Sequence, residues 1–150
     1  MNVFRQFLGS HDLAALRDYA RLDGVPGRQG TGYEKISVPL SAETLALRER
    51  CLAALGLAHD TPHDCYVLRY PDGSHIPKHR DDAPFGSEHH RINAVVEQPV
   101  AGGTLIVEGV VWPLDVGDAY TFRPDVEEHE VTPVEGQRLV FTVGALKNTP

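Results

Sequence analysis

Cysteine is scarce in this chain, basic charge is outnumbered, and no long apolar run occurs. Only Cys51 and Cys65 are present in 150 residues. Cys51 falls in a helical pattern and Cys65 at the start of an apolar strand. Both read as small buried hydrophobes rather than a disulfide framework. No apolar run approaches the roughly 18 residues that a membrane span needs, so no membrane association is expected. The opening MNVFRQFLGS lacks the apolar core of a secretory signal, and a cytoplasmic location is the expectation. Lysine and arginine total 14 against 21 aspartates and glutamates, a formal net charge of -7. Phosphate neutralisation dominates nucleic-acid affinity, so this balance argues against a nucleic-acid partner. There is no internal repeat, low-complexity tract or linker, and the length suits one domain over 1–150 with a sizeable core.

What the chain does have is turns. Glycine and proline sum to 14 + 11 = 25 residues, which suits many short strands better than a helical bundle. Ser10 is placed to cap a helix through about Leu22, with Leu13, Leu16 and Ala20 on one face. The glycine-rich stretch 23–32 reads as loop, and Tyr33 to Leu40 as a strand. Ser41 starts a second helix with Glu43 in its first turn, a stripe of Leu45, Leu52 and Leu55, and Gly56 as the stop. From Asp64 the pattern changes to short strands, read as Asp64–Tyr70, Ser74–Asp81, Arg91–Gln98, Thr104–Glu108, Val110–Trp112, Ala119–Phe122, Glu130–Val134 and Leu139–Gly144. Strands at this spacing predict a mainly β (α+β) fold, an antiparallel sandwich or jelly roll over 64–146, with residues 1–63 as helical and loop support. Residues 82–90 form the one long polar loop inside that region.

The chemistry concentrates at Tyr70–Asp81, YPDGSHIPKHRD. His79 and Asp81 are two residues apart, and on a strand that spacing points both side chains to one face. Asp82 would point to the other. A chain with 8 histidines and 21 acidic residues produces His-x-Asp by chance, so the pair needs company. His129 supplies it at a strand start 50 residues later, since a jelly roll brings sequence-distant strands side by side. Two histidines and one carboxylate form a facial triad with open metal positions, which suits non-haem Fe(II). A structural zinc site would more often use cysteine or four protein ligands. Arg138 enters the apolar strand LVFTVG nine residues after His129. Either it points outward, with Leu139, Phe141 and Val143 buried, or it faces a cavity with Val140 and Thr142. In the cavity its planar fork would bind a carboxylate through two bonds.

Taken in order, His79-x-Asp81, GGTLIVEG at 102–109, WPLDVGDAYTF at 112–122 and EHEVTPVEGQR at 128–138 resemble the Fe(II)/2-oxoglutarate-dependent oxygenases, and most the prolyl-hydroxylase-like branch. The resemblance covers about residues 64 to 146. It implies a double-stranded β-helix (jelly roll, cupin-like). It also implies His79, Asp81 and His129 as iron ligands, and Arg138 as the receptor for the distal carboxylate of 2-oxoglutarate. Tyr70 matches a tyrosine that lines the cosubstrate pocket in relatives, with a plain core aromatic as the alternative. The sequence departs from many relatives at Val140, where they carry serine, and in RINAVV, where others carry tyrosine. Asn93 and Thr142 are the stand-ins available. The implied activity is hydroxylation of an unactivated C–H using Fe(II), 2-oxoglutarate and O2, with succinate and CO2 released and ascorbate as a stimulant. The implied substrate is a small polar molecule or a peptide side chain. His75, Arg80, Asp82, Glu88, His89, His90 and Arg91 are expected around the cavity mouth, and Arg28 within reach of a substrate carboxylate. Two other classes fit a jelly roll: a cupin-like metal protein with non-redox isomerase or lyase chemistry, and a non-catalytic binding module. Neither requires Arg138.

Overall fold

The computed structural model describes residues 1–57 and 62–149; the stretch 58–61, within the expected N-terminal support, lies outside the described residues. In chain order the elements begin β1 (Asn2–Phe4), α1 (Ser10–Tyr19), β2 (Val25–Pro26), β3 (Glu34–Ser37) and α2 (Ala42–Leu55). Then come β4 (Pro62–Tyr70), β5 (Ile76–His79), β6 (Ser87–Glu97) and β7 (Ala101–Gly102). They are followed by β8 (Leu105–Val107), β9 (Val110–Val111), β10 (Ala119–Phe122), β11 (His129–Val131), β12 (Val134–Glu135) and β13 (Arg138–Asn148). A seven-stranded sheet runs β1-β10-β6-β13-β4-β3-β2 and faces a four-stranded sheet, β5-β11-β8-β9, with β12-β7 as a small ribbon. Every pairing is antiparallel. The mainly β jelly roll with two helices is therefore as the sequence predicts.

The helices cover the outer face of the large sheet. On α2 the buried positions are Thr44, Leu47, Cys51 and Leu52, whereas Leu45 of the expected stripe is exposed. The spacing 44, 47, 51 is one helical face, and Leu45 falls off it. Ser41 caps this helix, accepting from the Thr44 N–H, and Gly56 ends it in the left-handed conformation at φ 72. On α1 the cap is Gly9, not Ser10. The Asp12 carboxylate accepts the Gly9 N–H at 2.9 Å, which fixes the start one residue early. The Cys51 thiol is pushed up to about 12 by burial, and both cysteines are free.

Two cores result. Leu16, Leu47, Cys51 and Leu52 meet Val67, Ile92, Leu139, Phe141 and Val143 between helices and sheet. Tyr70, Tyr120, Phe122 and Val140 meet Leu105, Val107 and Val131 between the two sheets. Each such aliphatic or aromatic side chain contributes roughly 1.5–3 kcal/mol on leaving water. β13 belongs to both cores, because it is the central strand with β4 on one side and β6 on the other. Its odd positions face the helices and its even positions face the interior. That settles Arg138 on the inner side with Val140 and Thr142.

Several boundaries shift. Ser87–His90, expected in the polar loop, extends β6 and pairs with β13 as far as Asn148. Ser74 and His75 lie outside β5, where the Ser74 N–H closes a turn onto the Pro71 carbonyl at 3.0 Å. The strand expected over Glu130–Val134 breaks at Pro133, which has no N–H to donate, leaving β11 and β12. Val25–Pro26 pairs with β3 inside the expected loop, and Asn2–Phe4 adds an edge strand to β10.

Candidate active site

His79 ends β5 and His129 begins β11, and the two are direct partners across that pair of strands. Their rings lie 4.3 Å apart between centroids. Asp81 is just past the end of β5, where its N–H donates to the Pro124 carbonyl at 2.8 Å. That bond ties the segment after β5 to the loop before β11. One ligand atom from each of His79, Asp81 and His129 lies within 4.8 Å of the others. Asp82, by contrast, carries a 92% exposed side chain paired with Arg28 at 3.3 Å.

Both imidazoles are oriented from behind. Nδ1–H of His79 donates to the Pro77 carbonyl at 2.7 Å, and Nδ1–H of His129 to the Glu127 carbonyl at 2.9 Å. A carbonyl only accepts, so the proton is on Nδ1 and each Nε2 is the atom presented inward. His79 Nε2 lies 3.0 Å from Asp81 Oδ1, and His129 Nε2 lies 4.0 Å from the same oxygen. The hydrogen bond that His79 donates to the Asp81 carboxylate raises the His79 pKa above its ordinary value. Burial lowers that of His129. Burial also pushes the Asp81 carboxyl up, but the His79 hydrogen bond and the Arg91 guanidinium outweigh it and hold it well below the carboxylate range. The donor set is thus two imidazole nitrogens and a charged carboxylate, a set that divalent iron accepts.

These three residues open onto a cavity of about 190 Å³ between the sheets, which Tyr70, Asn93, Arg138 and Thr142 also line. Arg138 is 3% exposed, and among the described residues no carboxylate lies within ion-pair distance of it. Its guanidinium sits over the Tyr70 ring, 4.7 Å from the centroid. Burial pushes the Tyr70 hydroxyl up to about 12, and Tyr33 stacks on its ring at 5.5 Å. Asn93 and Tyr66 flank Thr142 across the sheet. Asn93 donates from Nδ2 to the Tyr120 hydroxyl at 2.8 Å. The Asn93 Oδ1 and Thr142 Oγ1 atoms are buried and have no hydrogen-bond partner. Buried polar atoms of this kind are rare unless a ligand or water meets them.

The expected mouth divides. Asp82, His89 and Arg91 line the cavity, as do Arg28 and Gln29 from the glycine-rich stretch. His89 is buried rather than on a rim. Glu88 and His90 pair with one another at 2.8 Å, and Glu88 also meets Arg123 at 3.3 Å. Arg80 donates to the Val126 carbonyl at 3.0 Å, and neither Arg80 nor His75 reaches the cavity. Residues not singled out in the sequence also line it, among them Tyr33, Lys35, Asp64, Tyr66 and Tyr120. A period-of-two count back from Tyr70 along β4 leads to Leu68, Tyr66 and Asp64, so the pattern held that information.

No protein-family model matches the sequence, and no curated protein matches it. Solved structures do match. A prolyl-4-hydroxylase from Pseudomonas putida aligns with a TM-score of 0.74 at 19% identity, over 99% of this chain and 92% of that one. A prolyl hydroxylase from Trichoplax adhaerens, solved with a hypoxia inducible factor peptide fragment, aligns at 0.67 and 18% identity, over 96% of this chain and 82% of that one. The non-heme alpha ketoglutarate dependent epimerase SnoN from nogalamycin biosynthesis aligns at 0.71 and 14% identity, over 99% and 78%. The chain therefore has the fold of the 2-oxoglutarate/Fe(II) oxygenases, in the form that prolyl hydroxylases take.

Proposed function

We propose that the protein is an Fe(II)- and 2-oxoglutarate-dependent dioxygenase that hydroxylates an unactivated C–H of a small polar or peptide substrate. The observation that carries this reading is Arg138. A buried guanidinium without a carboxylate is costly, and this one opens onto the same cavity as the His79, Asp81 and His129 donors. A dicarboxylic 2-oxo acid answers both ends: its distal carboxylate meets Arg138, and its 2-oxo acid end reaches the metal position. Thr142 can donate its hydroxyl proton to that carboxylate, which gives its partnerless Oγ1 a use, and Asn93 has a second Nδ2 proton to offer beside the one that meets the Tyr120 hydroxyl. Tyr70 supports the arginine from beneath.

In this reading His79 Nε2, Asp81 Oδ1 and His129 Nε2 hold the iron. To hold a metal, His79 would release the Nε2 proton that it now shares with Asp81. Iron with 2-oxoglutarate and O2 supplies the oxidising chemistry, with succinate and CO2 as products. The chain's own share is to fix three ligands on one side, anchor the cosubstrate by its far end and keep water from the reacting centre. Epimerisation by a protein of the same fold shows that the fold does not dictate the outcome on substrate carbon. Arg28 and Asp82 line the same cavity, which supports assigning substrate selection to the loops that carry them.

The test is anaerobic addition of Fe(II) and 2-oxoglutarate, with the visible charge-transfer band of the chelate as readout. The expected result is a band in the wild type that Asp81→Ala abolishes. A wild type without the band would return the protein to the cupin-like isomerase or binding-module class.

A further inference from the structure

Behind the donor triad runs a line of ionic contacts that crosses the large sheet. Asp81 turns Oδ1 to the histidines and Oδ2 to Arg91, whose Nη1 is 3.0 Å away. The other end of that guanidinium, Nη2, lies 3.1 Å from Asp64 Oδ2. The same Asp64 oxygen lies 2.8 Å from His89 Nε2. Arg91 Nε is buried without a partner, so the group forgoes one bond and bridges two carboxylates. The Asp64 carboxylate is held well below the carboxylate range: burial raises it, and His89 and Arg91 outweigh that.

Asp64 is on β4 and Arg91 on β6, and these strands are not neighbours, because β13 lies between them. The β13 residue in register with both is Gly144. A Cβ there would sit 2.5 Å from Asp64 Oδ2 and 2.8 Å from His89 Nε2. Gly144 is not among the positive-φ glycines, so the requirement is for space and not for an unusual backbone. The only side chains that can meet above the central strand at this row are those reaching over a glycine.

We propose that Arg91 is the positioning residue for Asp81, held in turn by Asp64 across Gly144, and that this bridge sets Asp81 as a ligand through Oδ1 alone. The inference rests on the reading of His79, Asp81 and His129 as a metal triad. By occupying Oδ2, Arg91 leaves the carboxylate only Oδ1 to turn toward the two histidines. Removing a group that orients a metal ligand typically weakens metal binding roughly 10- to 100-fold.

The experiment is Co(II) titration of the metal-free full-length protein, followed by its visible d–d spectrum, with thermal unfolding of each metal-free variant alongside. Arg91→Met is expected to weaken Co(II) binding by roughly 10- to 100-fold and to change the spectrum. Arg91→Lys returns a charge without the fork and is expected to recover part of the affinity. Asp64→Asn and Gly144→Ala reach the same bridge from its far side, and both are expected to shift affinity and spectrum in the direction of Arg91→Met. They carry the test if Arg91→Met does not fold. Folded variants with wild-type affinity and spectrum, beside a wild type that binds Co(II), would overturn the positioning role alone. A wild type that binds no Co(II) would overturn the triad and this inference together.

Discussion

The four-stranded wall brings His79 and His129 to the cavity with one ring nitrogen of each already bonded to a carbonyl. The seven-stranded wall brings Arg138, Asn93 and Thr142 to the same cavity with a guanidinium that meets no carboxylate among the described residues and two oxygens that meet no partner. In the proposed reading the first wall presents metal donors that are already oriented. The second holds polar groups that a ligand or water would satisfy. Affinity for metal should therefore depend on orientation, and affinity for the cosubstrate on unmet charge, so the two should separate under mutation.

The largest separation is expected from the triad itself. His129→Ala or Asp81→Ala should reduce 2-oxoglutarate-dependent succinate release to the level of a reaction without protein, because the metal position loses a ligand. Next is Arg138. Truncating one partner of a buried charge pair costs about 2–5 kcal/mol, so Arg138→Ala should raise the 2-oxoglutarate requirement roughly 30-fold or more, with Fe(II) affinity nearly unchanged. Equal loss of both would erase the distinction between the walls. Arg138→Met should in addition stabilise the ligand-free protein by about 1 kcal/mol. At this chain length that raises Tm by roughly 2–4 °C, and the stabilisation by 2-oxoglutarate should be lost.

A pH series sharpens the first wall. Metal binding requires His79 to release its Nε2 proton, and Asp81 holds that proton to a pH above the ordinary histidine value of 6.5. Co(II) affinity should therefore climb as pH rises through that region. The folded-state contribution of the His79–Asp81 pair runs the other way. It is fully present below the unfolded pKa and lost as pH rises through the folded one. Metal-free protein should lose this increment of stability over the same range in which it gains metal affinity, measurable by denaturant titration at each pH. The smallest effect is expected from Thr142→Ala, which deletes a buried hydroxyl that has no partner. It should leave ligand-free stability unchanged or slightly higher, and weaken 2-oxoglutarate binding by about 1 kcal/mol, roughly fivefold, by calorimetry.

Much of the site is legible in residue order. Period two places His79 with Asp81 and sets Asp82 aside, and the alternation along LVFTVG offers Arg138 two faces. What chooses between them is the depth of β13 in the sheet, a property of topology that no local window contains. Both faces of that strand are buried, so the usual apolar-in, polar-out alternation cannot tell them apart. The same gap explains Ser87–His90. Four polar residues read as loop, yet they pair with the far end of β13 because that strand runs eleven residues. Leu45 misleads for a more ordinary reason: leucines alone mark a stripe, but Thr44 and Cys51 fill the buried face of α2 as well. Arg91 and Asp64 are invisible as a pair in the sequence, since their meeting depends on an intervening glycine.

The central place of β13 has a consequence for how the protein comes to be active. Until that strand inserts, β4 and β6 are both open edges, and hydrogen bonds spanning from residue 62 to residue 145 are unmade. Contacts so distant in sequence form late and slowly. Arg138 is the first residue of the same strand, so the cosubstrate receptor we propose takes its place only when that strand does. With Arg138 in its proposed role, 2-oxoglutarate should bind only molecules in which β13 is in place, and so should stabilise those over the rest.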